Sequence, residues 1–444
     1  MSGSKQLTVD DLNEQQRLAV DRCLDFTRRI AAVTGEAGTG KTSIIKIVYN
    51  SLIEAGYNPV IAAPTGKAAK RIREATQAPA RTLHMLLEYT RPGDIDEKTG
   101  KPIGATYPRR DRQNPIEYDH VLVDEYAMVN HELHRNLIDA LPPGCRLLVF
   151  GDVSQLPPIE NIPKYAAMTT PFKTALEKFE GIKLAQVHRQ SEDSMVLLNA
   201  QRINSGYGPK SGSDDFKVTV TERPVEQLID AVMHAGDTFA RLDSQVITPI
   251  NKSWIGTEAL NQQLQMMLMD NDRKTMKLDR HKWSKTELAV GVGDKVMMTK
   301  NYYELMADDG SVGLFNGEVG IVQELGEYGE LVVDFDGRTM VVPPVIQVAV
   351  DNRVSVVHPH RDLELAYAIT THKAQGSEYQ NVIYVMNKSA MFNLNRKNFY
   401  TAVSRARKTV HVITDMKSMS TALAQVDQRI LPPRPSGMKV GWNN

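Results

Sequence analysis

The chain has 444 residues, of which 41% are hydrophobic and 24% charged, and its 53 basic side chains balance 53 acidic ones. This composition is typical of a soluble globular protein of two to four domains, and it excludes a histone-like basic surface. No apolar run approaches the roughly 20 residues of a membrane-spanning helix, and the N-terminus lacks the apolar core of a secretory signal. Cys23 and Cys145 have no metal-ligand spacing and favour reduced, buried thiols, so we expect a cytoplasmic protein without a membrane partner.

The N-terminal segment predicts a helix over residues 10–28 and then a short apolar strand over 30–33. Gln16 lies on this helix, about twenty residues before the loop described next, where its amide could pair with adenine. A solvated helix glutamine is the alternative interpretation of Gln16 taken alone.

The next segment reads Gly35-Glu36-Ala37-Gly38-Thr39-Gly40-Lys41-Thr42, which matches the phosphate-binding pattern G-x-x-x-x-G-K-T. A predicted strand precedes it, and apolar residues at helical spacing follow it. The glycines allow a tight turn that points backbone N–H groups at phosphate oxygens, and the helix N-terminus adds a favourable dipole. Lys41 is predicted to bind the β- and γ-phosphates and the Thr42 hydroxyl to hold Mg²⁺. The pattern therefore predicts a nucleoside triphosphate site.

Three predicted parallel strands end in polar residues, and ligands bind at such strand ends in doubly wound α/β sheets. The strand over 59–63 leads into Pro64-Thr65-Gly66-Lys67, that over 121–123 into Asp124-Glu125, and that over 147–150 into Gly151-Asp152 and then Gln155. Asp124 is predicted to hold Mg²⁺, and Glu125 to orient and deprotonate the attacking water. An Asp-Glu pair is usually a solvated turn, but its place at a strand end after a phosphate loop favours the catalytic interpretation.

The segment 90–118 breaks this pattern with four prolines and the turn signal Lys98-Thr99-Gly100-Lys101. It predicts a small protruding hairpin or subdomain, with a disordered surface loop as the alternative. Residues 205–224 are rich in Gly, Ser and Asp and predict a linker or long loop. A second α/β unit follows, with predicted strands at 245–248, 365–369, 382–385 and 410–413. Since its sequence has no second phosphate loop, we expect the two units to share one nucleotide.

Short β-rich runs fill the stretch from about residue 291 to residue 361. The dipeptides Asn316-Gly317 and Asp336-Gly337 lie between these runs and are strong hairpin signals. They predict a small antiparallel barrel inserted into the second α/β unit.

The order of these motifs resembles that of the superfamily 1 helicases, most closely the RecD-like and Dda-like group, superfamily 1B. The matching segments run from about residue 12 to residue 414 and comprise Gly35 to Thr42, Ala63 to Ala69, Thr82-Leu83-His84, Asp124-Glu125, Gly151 to Pro158, Val187-His188-Arg189-Gln190, Phe315-Asn316-Gly317-Glu318, Thr371 to Glu378 and Tyr400 to Ala406. The sequence departs from the family at Tyr126 and Ala127, where relatives have small residues and a hydroxyl, which puts the hydrogen bond of that hydroxyl in doubt.

The resemblance implies an α/β fold of two RecA-like, P-loop NTPase-type domains, with a hairpin insertion in the first and an SH3-like β-barrel in the second. The implied boundaries are 1–89 and 119–182 for the first domain, 90–118 for the hairpin, 183–290 and 363–444 for the second domain, and 291–362 for the barrel. ATP is expected in the cleft between the domains and single-stranded DNA across their tops.

The resemblance also implies roles for individual residues. Gln155 is expected to sense the γ-phosphate, Arg189 and Arg405 to reach it from the second domain as arginine fingers, and Glu378 to touch the ribose. The DNA contacts implied are Pro64, Thr65, Thr82, His84, Thr248, Thr371 and His372. Such groups suit phosphate contact without sequence preference. A structural histidine is the alternative for His84 and His372.

The implied function is an ATP- and Mg²⁺-dependent DNA helicase of a bacterial or phage-infected cell, moving 5′→3′ on single-stranded DNA. Its substrates are expected to be single strands and single-strand–duplex junctions, opened by the hairpin at 90–118 with Tyr107 as a stacking residue. Candidate partners are single-stranded-DNA-binding, replication and recombination proteins. Two alternatives remain, a translocase that displaces proteins with little unwinding and a P-loop kinase for a nucleotide or small molecule.

Overall fold

The computed structural model describes residues 11–90, 107–186, 194–236, 242–270, 272–279, 288–350 and 353–426. The helices in these ranges are α1 (Glu14–Leu24), α2 (Lys41–Glu54), α3 (Gly66–Thr76), α4 (Leu83–Leu86), α5 (His131–Ala140), α6 (Pro163–Ala166), α7 (Pro171–Lys178), α8 (Met195–Asn204), α9 (Pro224–Ala235), α10 (Thr257–Leu268), α11 (Arg396–Val403) and α12 (Met416–Ala424), with 3₁₀ turns at Tyr126–Met128, Pro359–Asp362 and Lys388–Ala390. None of these helices combines the length and hydropathy that crossing a bilayer requires.

The strands of the same ranges are β1 (Ile30–Gly35), β2 (Pro59–Ala63), β3 (Ala80–Thr82), β4 (His120–Val123), β5 (Arg146–Gly151), β6 (Ile182–Leu184), β7 (Phe216–Val220), β8 (Ser244–Thr248), β9 (Thr275–Lys277), β10 (Ala289–Gly291), β11 (Lys295–Met298), β12 (Tyr302–Met306), β13 (Val312–Leu314), β14 (Val319–Leu325), β15 (Leu331–Asp334), β16 (Thr339–Val342), β17 (Ile346–Val350), β18 (Arg353–Val357), β19 (Leu363–Leu365), β20 (Ala368–Thr370), β21 (Tyr379–Val385) and β22 (Ala406–Thr414).

The first unit is built on a six-stranded sheet with the order β3-β2-β4-β5-β1-β6, and all its pairs are parallel. Its central strands are apolar along their length because both faces of the sheet are covered. Ala31 and Val33 pack in one core with α1 and α2, while Ala32 packs in the other with α5 and α7. Since β6 pairs with β1, the first sheet extends to Leu184, and the expected domain boundary after residue 182 falls inside a strand.

The second unit contains a five-stranded parallel sheet with the order β20-β8-β21-β22-β7. The expectation of a linker over 205–224 is wrong for its later part, because residues 216–220 form the edge strand β7. Phe216 is fully buried and anchors this strand in the core. The flanking Gly, Ser and Asp residues obscured a strand that is held by its pairing with β22 and by the buried Phe216 side chain.

The single strand expected over 365–369 is two strands. β19 pairs with β11 in an antiparallel sheet, whereas β20 pairs with β8 in the second parallel sheet. The chain changes sheets at Ala366 and Tyr367, whose carbonyls both accept hydrogen bonds from Gln245 Nε2, at 2.9 and 3.0 Å. A buried amide thus satisfies the backbone groups that the turn removes from the ladder.

The insertion in the second unit is antiparallel, as the hairpin signals predict. Its main sheet has the order β16-β15-β14-β11-β19, and a bridge between Ala307 and Met340 attaches the β12–β13 hairpin. The insertion contacts the first unit: Phe315 packs so closely on Gly66 that a Cβ there would lie 2.5 Å from the Phe315 Cβ. Its assignment as an SH3-like barrel stays a prediction.

The expected hairpin at 90–118 lies largely outside the described residues, which omit 91–106. Its two ends leave the first unit side by side, because Tyr89 and Pro108 form an antiparallel bridge. The Thr90 N–H also donates to the Tyr107 carbonyl at 2.8 Å. The duplex-splitting role of this segment stays a prediction.

Candidate active site between the two sheets

The phosphate loop joins β1 to α2 with the backbone that its glycines predict. Gly38 and Gly40 have φ values of 83° and 87°, in the left-handed region that favours glycine. Lys41 Nζ donates to the carbonyls of Gly35 and Glu36, at 2.6 and 3.0 Å. The ammonium group is therefore held by the first two carbonyls of its own loop, at the N-terminus of α2.

Gln16 fastens this loop to α1. Its Nε2 donates to the Thr39 carbonyl at 3.0 Å, and its Oε1 accepts from the Asn13 N–H at 3.1 Å, so the residue is only 4% exposed. A Cβ on Gly40 would lie 2.3 Å from this Nε2, which is a second reason for glycine at that position. The solvated-helix interpretation of Gln16 is therefore wrong, while its contact with adenine stays a prediction.

The carboxylates Asp124 and Glu125 follow β4 and are 2% and 3% exposed. Glu125 has φ 51° and ψ 37°, a left-handed conformation that is costly for a non-glycine residue. Its N–H donates to Asp124 Oδ1 at 2.8 Å. Burial raises the pKa of Asp124, and the Glu125 charge raises it further, while Arg71 and Lys41 act in the opposite direction.

Two buried oxygens beside the loop have no hydrogen-bond partner among the described residues, Glu125 Oε2 and Gln155 Oε1. Buried polar atoms are nearly always satisfied, so each of these oxygens is open to a ligand or to a residue outside the described ranges. Carboxylate, hydroxyl and water oxygens are the donors that Mg²⁺ prefers, and Thr42 with Asp124 offers them next to the phosphate loop. The residues present therefore fit a hydrated magnesium ion.

Tyr400 connects the second unit to the phosphate loop. From α11 its hydroxyl donates to Asp152 Oδ2 at 2.6 Å and accepts from the Ala37 N–H at 3.4 Å. Asn204, at the end of α8, donates to Glu36 Oε1 at 2.7 Å. The sequence reasoning assigned no role to either side chain. Tyr400 lay in a recognised segment, whereas Asn204 carried no local signal.

Gln375 reaches across from the second unit in the same way, since its Nε2 donates to the Leu156 carbonyl at 2.9 Å. The Leu156 N–H in turn donates to Thr401 Oγ1 at 2.9 Å. The segments Gly151 to Pro158 and Thr371 to Glu378, which the sequence identified separately, are therefore in direct contact. Both units line one cleft at the phosphate loop.

Two segments of the chain match known families, residues 16–161 the AAA domain and residues 365–413 the UvrD-like helicase C-terminal domain. Over 404 residues the chain is 31% identical to the ATP-dependent RecD2 DNA helicase of Deinococcus radiodurans, an alignment that covers 89% of this chain. The chain is thus similar to RecD-like DNA helicases over nearly its whole length. It spans 48% of the length of that RecD2 helicase.

Other RecD-like relatives extend the likeness. The RecBCD enzyme subunit RecD of Mycolicibacterium smegmatis is 28% identical over 430 residues, which cover 90% of this chain and 70% of that protein. The crystal structure of a Bacteroides Pif1 helicase with ADP-AlF3 and single-stranded DNA superposes with a TM-score of 0.56 at 21% identity, over 93% of this chain and 94% of that one. This structural likeness confirms an α/β fold with parallel RecA-like sheets.

Of the two expected arginine fingers, only Arg405 lies within the described residues. Arg189 lies outside them. Arg405 is 3% exposed, and its guanidinium donates to the carbonyls of Thr401 and Ser377 and to Ser404 Oγ, at 3.0, 3.3 and 3.0 Å. These partners all belong to the second unit, so Arg405 must turn to meet a phosphate, and its role as a finger stays a prediction.

Glu378, expected at the ribose, lies between two arginines in this structure. Its Oε1 is 2.9 Å from Arg71 Nη1, and its Oε2 is 2.7 Å from Arg407 Nε. The ribose contact stays a prediction. Arg71, which the sequence reasoning missed, also lies beside the carboxylates at the end of β4.

The expected DNA-contacting residues lie at or just after the carboxyl ends of β2, β3, β8 and β20. Several of their hydroxyls already have protein partners: Thr65 and Thr82 accept from the N–H groups of Ala68 and Met85, and the buried hydroxyls of Thr248 and Thr371 donate to the Ile255 carbonyl and to Asn398 Oδ1. Pro64, His84 and His372 are partly exposed. Burial lowers the pKa of both histidines, which favours their neutral forms. All seven DNA contacts stay predictions.

The departure at Tyr126 has a structural explanation. Tyr126 is 1% exposed, its ring packs edge-on against Phe172 with centroids 6.1 Å apart, and its hydroxyl lies 2.7 Å from His134 Nδ1. This side chain belongs to the core behind the carboxylates. The metal role of Asp124 and the water role of Glu125 stay predictions.

Proposed function

We propose that the chain is an ATP-dependent DNA helicase that moves 5′→3′ along single-stranded DNA and opens duplex DNA at single-strand–duplex junctions. The observation that carries this proposal is Glu125 Oε2, a buried oxygen without a described partner beside a phosphate loop, in a cleft completed by a second unit. The relatives support the substrates: one is an ATP-dependent DNA helicase, one Pif1 structure was solved with single-stranded DNA, and another concerns DNA unwinding at forked double-stranded DNA. The direction rests on the likeness to the RecD-like group alone.

The roles of the residues follow from their positions. Loop N–H groups and Lys41 bind the phosphates of ATP, and Lys41 exchanges its two carbonyl partners for phosphate oxygens. Thr42 and Asp124 would hold Mg²⁺, which supplies charge neutralisation at the phosphates when bound. Glu125 presents its unpartnered oxygen to the attacking water and takes its proton. Gln155 presents a second such oxygen close to the γ-phosphate, and Arg405 approaches from the second unit.

Movement along DNA requires that ATP change the distance between the two units. The contacts of Tyr400, Asn204 and Gln375 make the phosphate loop and its neighbours part of the interface, so the γ-phosphate acts on the cleft directly. A ligand shifts such an equilibrium only through contacts that differ between its states. ATP bound between Lys41 and Arg405 favours a closed cleft and ADP does not. The two units bind the DNA strand tightly in turn, so each cycle of closing and opening moves the protein along the strand.

Steady-state ATP hydrolysis, with and without single-stranded DNA, and unwinding of duplexes with opposite tails test the proposal together. We expect DNA to stimulate hydrolysis, unwinding to begin from a 5′ tail, and Lys41→Ala to abolish both. Hydrolysis retained in Lys41→Ala would show that the site is wrongly assigned. Unwinding from a 3′ tail only would overturn the direction and leave the rest intact. Stimulated hydrolysis without unwinding would favour a protein-displacing translocase, and phosphoryl transfer to a small acceptor without DNA stimulation would favour a kinase.

A further inference from the structure

Arg71, on α3 of the first unit, lies between the catalytic carboxylates and the second unit. Its Nη2 is 3.4 Å from Glu125 Oε1 and 4.0 Å from Asp124 Oδ2. Its Nη1 is 2.9 Å from Oε1 of Glu378, which also pairs with Arg407. Four side chains of alternating charge thus run from Glu125 through Arg71 and Glu378 to Arg407, across the boundary between the units.

The two carboxylate oxygens of Glu125 differ in their hydrogen-bond partners. Arg71 holds Oε1, while Oε2 is buried without a partner among the described residues. A guanidinium is a rigid planar fork, so its two ends cannot move independently. The end that holds Glu378 therefore sets where the other end can hold Glu125. A shift of Glu378 with the second unit is passed to the carboxylate that must meet the attacking water.

We propose that Arg71 is a positioning residue, which ties the orientation of Glu125 to the position of the second unit through Glu378. The proposal rests on the proposed function, since Glu125 is the catalytic carboxylate only if the chain hydrolyses ATP. The proposal explains how DNA binding could stimulate ATP hydrolysis. DNA held across both units fixes the distance between them, and Arg71 then holds Glu125 in one orientation. The competing explanation is that Arg71 only neutralises two neighbouring buried carboxylates.

The variants Arg71→Lys and Arg71→Gln separate these explanations. A lysine keeps the charge but cannot reach two carboxylates in a fixed fork, so a positioning role predicts that both variants lose DNA-stimulated hydrolysis. We expect kcat to fall about 10- to 100-fold, the size of effect that misplacing a catalytic group produces. The KM for ATP and the affinity for a fluorescent ATP analogue should change much less. Full activity in Arg71→Lys would overturn the positioning role and leave simple neutralisation.

Lys70 offers a matched control on the same helix. It also makes an ion pair to the inserted domain of the second unit, with Asp336 Oδ2 at 3.0 Å, but its described ion-pair partners, Asp336 and Glu74, do not include Asp124 or Glu125. We expect Lys70→Gln to leave kcat unchanged. A loss in Lys70→Gln equal to that in Arg71→Gln would mean that any contact between the units matters, which contradicts a specific role for Arg71.

A double-mutant cycle tests the route through Glu378. If Arg71 acts through Glu378, combining Arg71→Gln with Glu378→Gln should cost no more in kcat than Arg71→Gln alone, because residues in one network are not additive. Multiplied losses would show independent roles and overturn the route. Thermal unfolding of each variant separates misfolding from misplacement. If DNA does not stimulate hydrolysis by the wild-type protein, the proposed function itself is contradicted. If DNA stimulates the wild-type protein and Arg71→Lys is equally active, only the role of Arg71 is contradicted.

Discussion

The two parallel sheets have polar residues at their carboxyl ends, but these residues differ in whether their side-chain atoms have hydrogen-bond partners. At the ends of the first sheet, Glu125 and Gln155 each bury an oxygen without a described partner. In the second unit, Thr248 and Thr371 at the carboxyl ends of β8 and β20 donate to the Ile255 carbonyl and to Asn398 Oδ1. Arg405, just before the amino end of β22, makes three hydrogen bonds within the same unit. If these residues bind ligands as proposed, the first unit offers oxygens that have no described partner, whereas the second unit must exchange protein contacts for ligand contacts.

This difference has a physical consequence for a motor. An unsatisfied buried group costs free energy until its ligand arrives, so the first unit gains by binding. The second unit breaks existing hydrogen bonds when it engages, so its engagement is reversible. A cycle of cleft closing and opening needs a nucleotide site in one unit and a second unit that can bind to it and be released.

The largest loss of ATP hydrolysis is expected at Arg405, which must give up its hydrogen bonds within the second unit to contact a phosphate. Replacing it with lysine keeps the charge but not the planar fork, and loss of an arginine finger lowers kcat by about 10³- to 10⁵-fold. Single-turnover hydrolysis in the presence of DNA measures this loss, and binding of an ATP analogue should persist. Hydrolysis at the wild-type rate would show that Arg405 remains a structural residue in the closed state.

The next largest effect is expected at Glu125 in the first unit. Glu125→Gln keeps the shape but removes the base, so kcat should fall by about 10²- to 10⁴-fold while ATP still binds. Steady-state hydrolysis and nucleotide titration measure the two quantities. A loss below about tenfold would assign the base to another group.

A smaller effect is expected at the interface itself. Tyr400→Phe removes the hydrogen bond to the buried Asp152 carboxylate and should lower the free energy of unfolding by about 1.5–3 kcal/mol, the range for bonds to charged groups. Tyr384→Phe is the matched control, because its equally buried hydroxyl donates to the neutral Asn398 Oδ1 at 3.0 Å within the second unit. Its cost should be nearer about 1 kcal/mol. Denaturant titration compares the two, and equal costs would mean that Tyr400 adds nothing special between the units.

The last effect concerns the pH dependence of stability at His411 in the second sheet, and it vanishes at neutral pH. Burial, aided by the charge of Lys217, lowers the pKa of His411 from 6.5 to about 4. The unfolded chain therefore binds more protons between these values, so stability is full above pH 6.5 and falls as the pH drops towards 4. Thermal unfolding across this range should show a shallower decline in His411→Gln than in wild type. Identical pH profiles would contradict a depressed pKa at this histidine.

Much of the first unit could be predicted from the sequence. The strand before Gly35, the helix after it and the pair Asp124-Glu125 follow from local patterns, because glycine-dependent turns and buried parallel strands leave short, contiguous signals. Strand β7 could not be predicted, since a single buried Phe216 in a polar stretch acquires meaning only when β22 lies beside it. The split of the 365–369 strand likewise depends on Gln245, more than a hundred residues earlier, to satisfy the turn.

The resemblance to RecD-like helicases, the phosphate loop and the polar residues at the strand ends could all be recognised from the sequence, because each depends on contiguous residues. The contacts of Gln16 with the phosphate loop, of Tyr400 with Asp152, and of Arg71 with Glu125 and Glu378 became visible in the folded chain alone. The physical reason is distance along the chain. A pair such as Arg71 and Glu378 is separated by about 300 residues, and only packing brings its charges within contact.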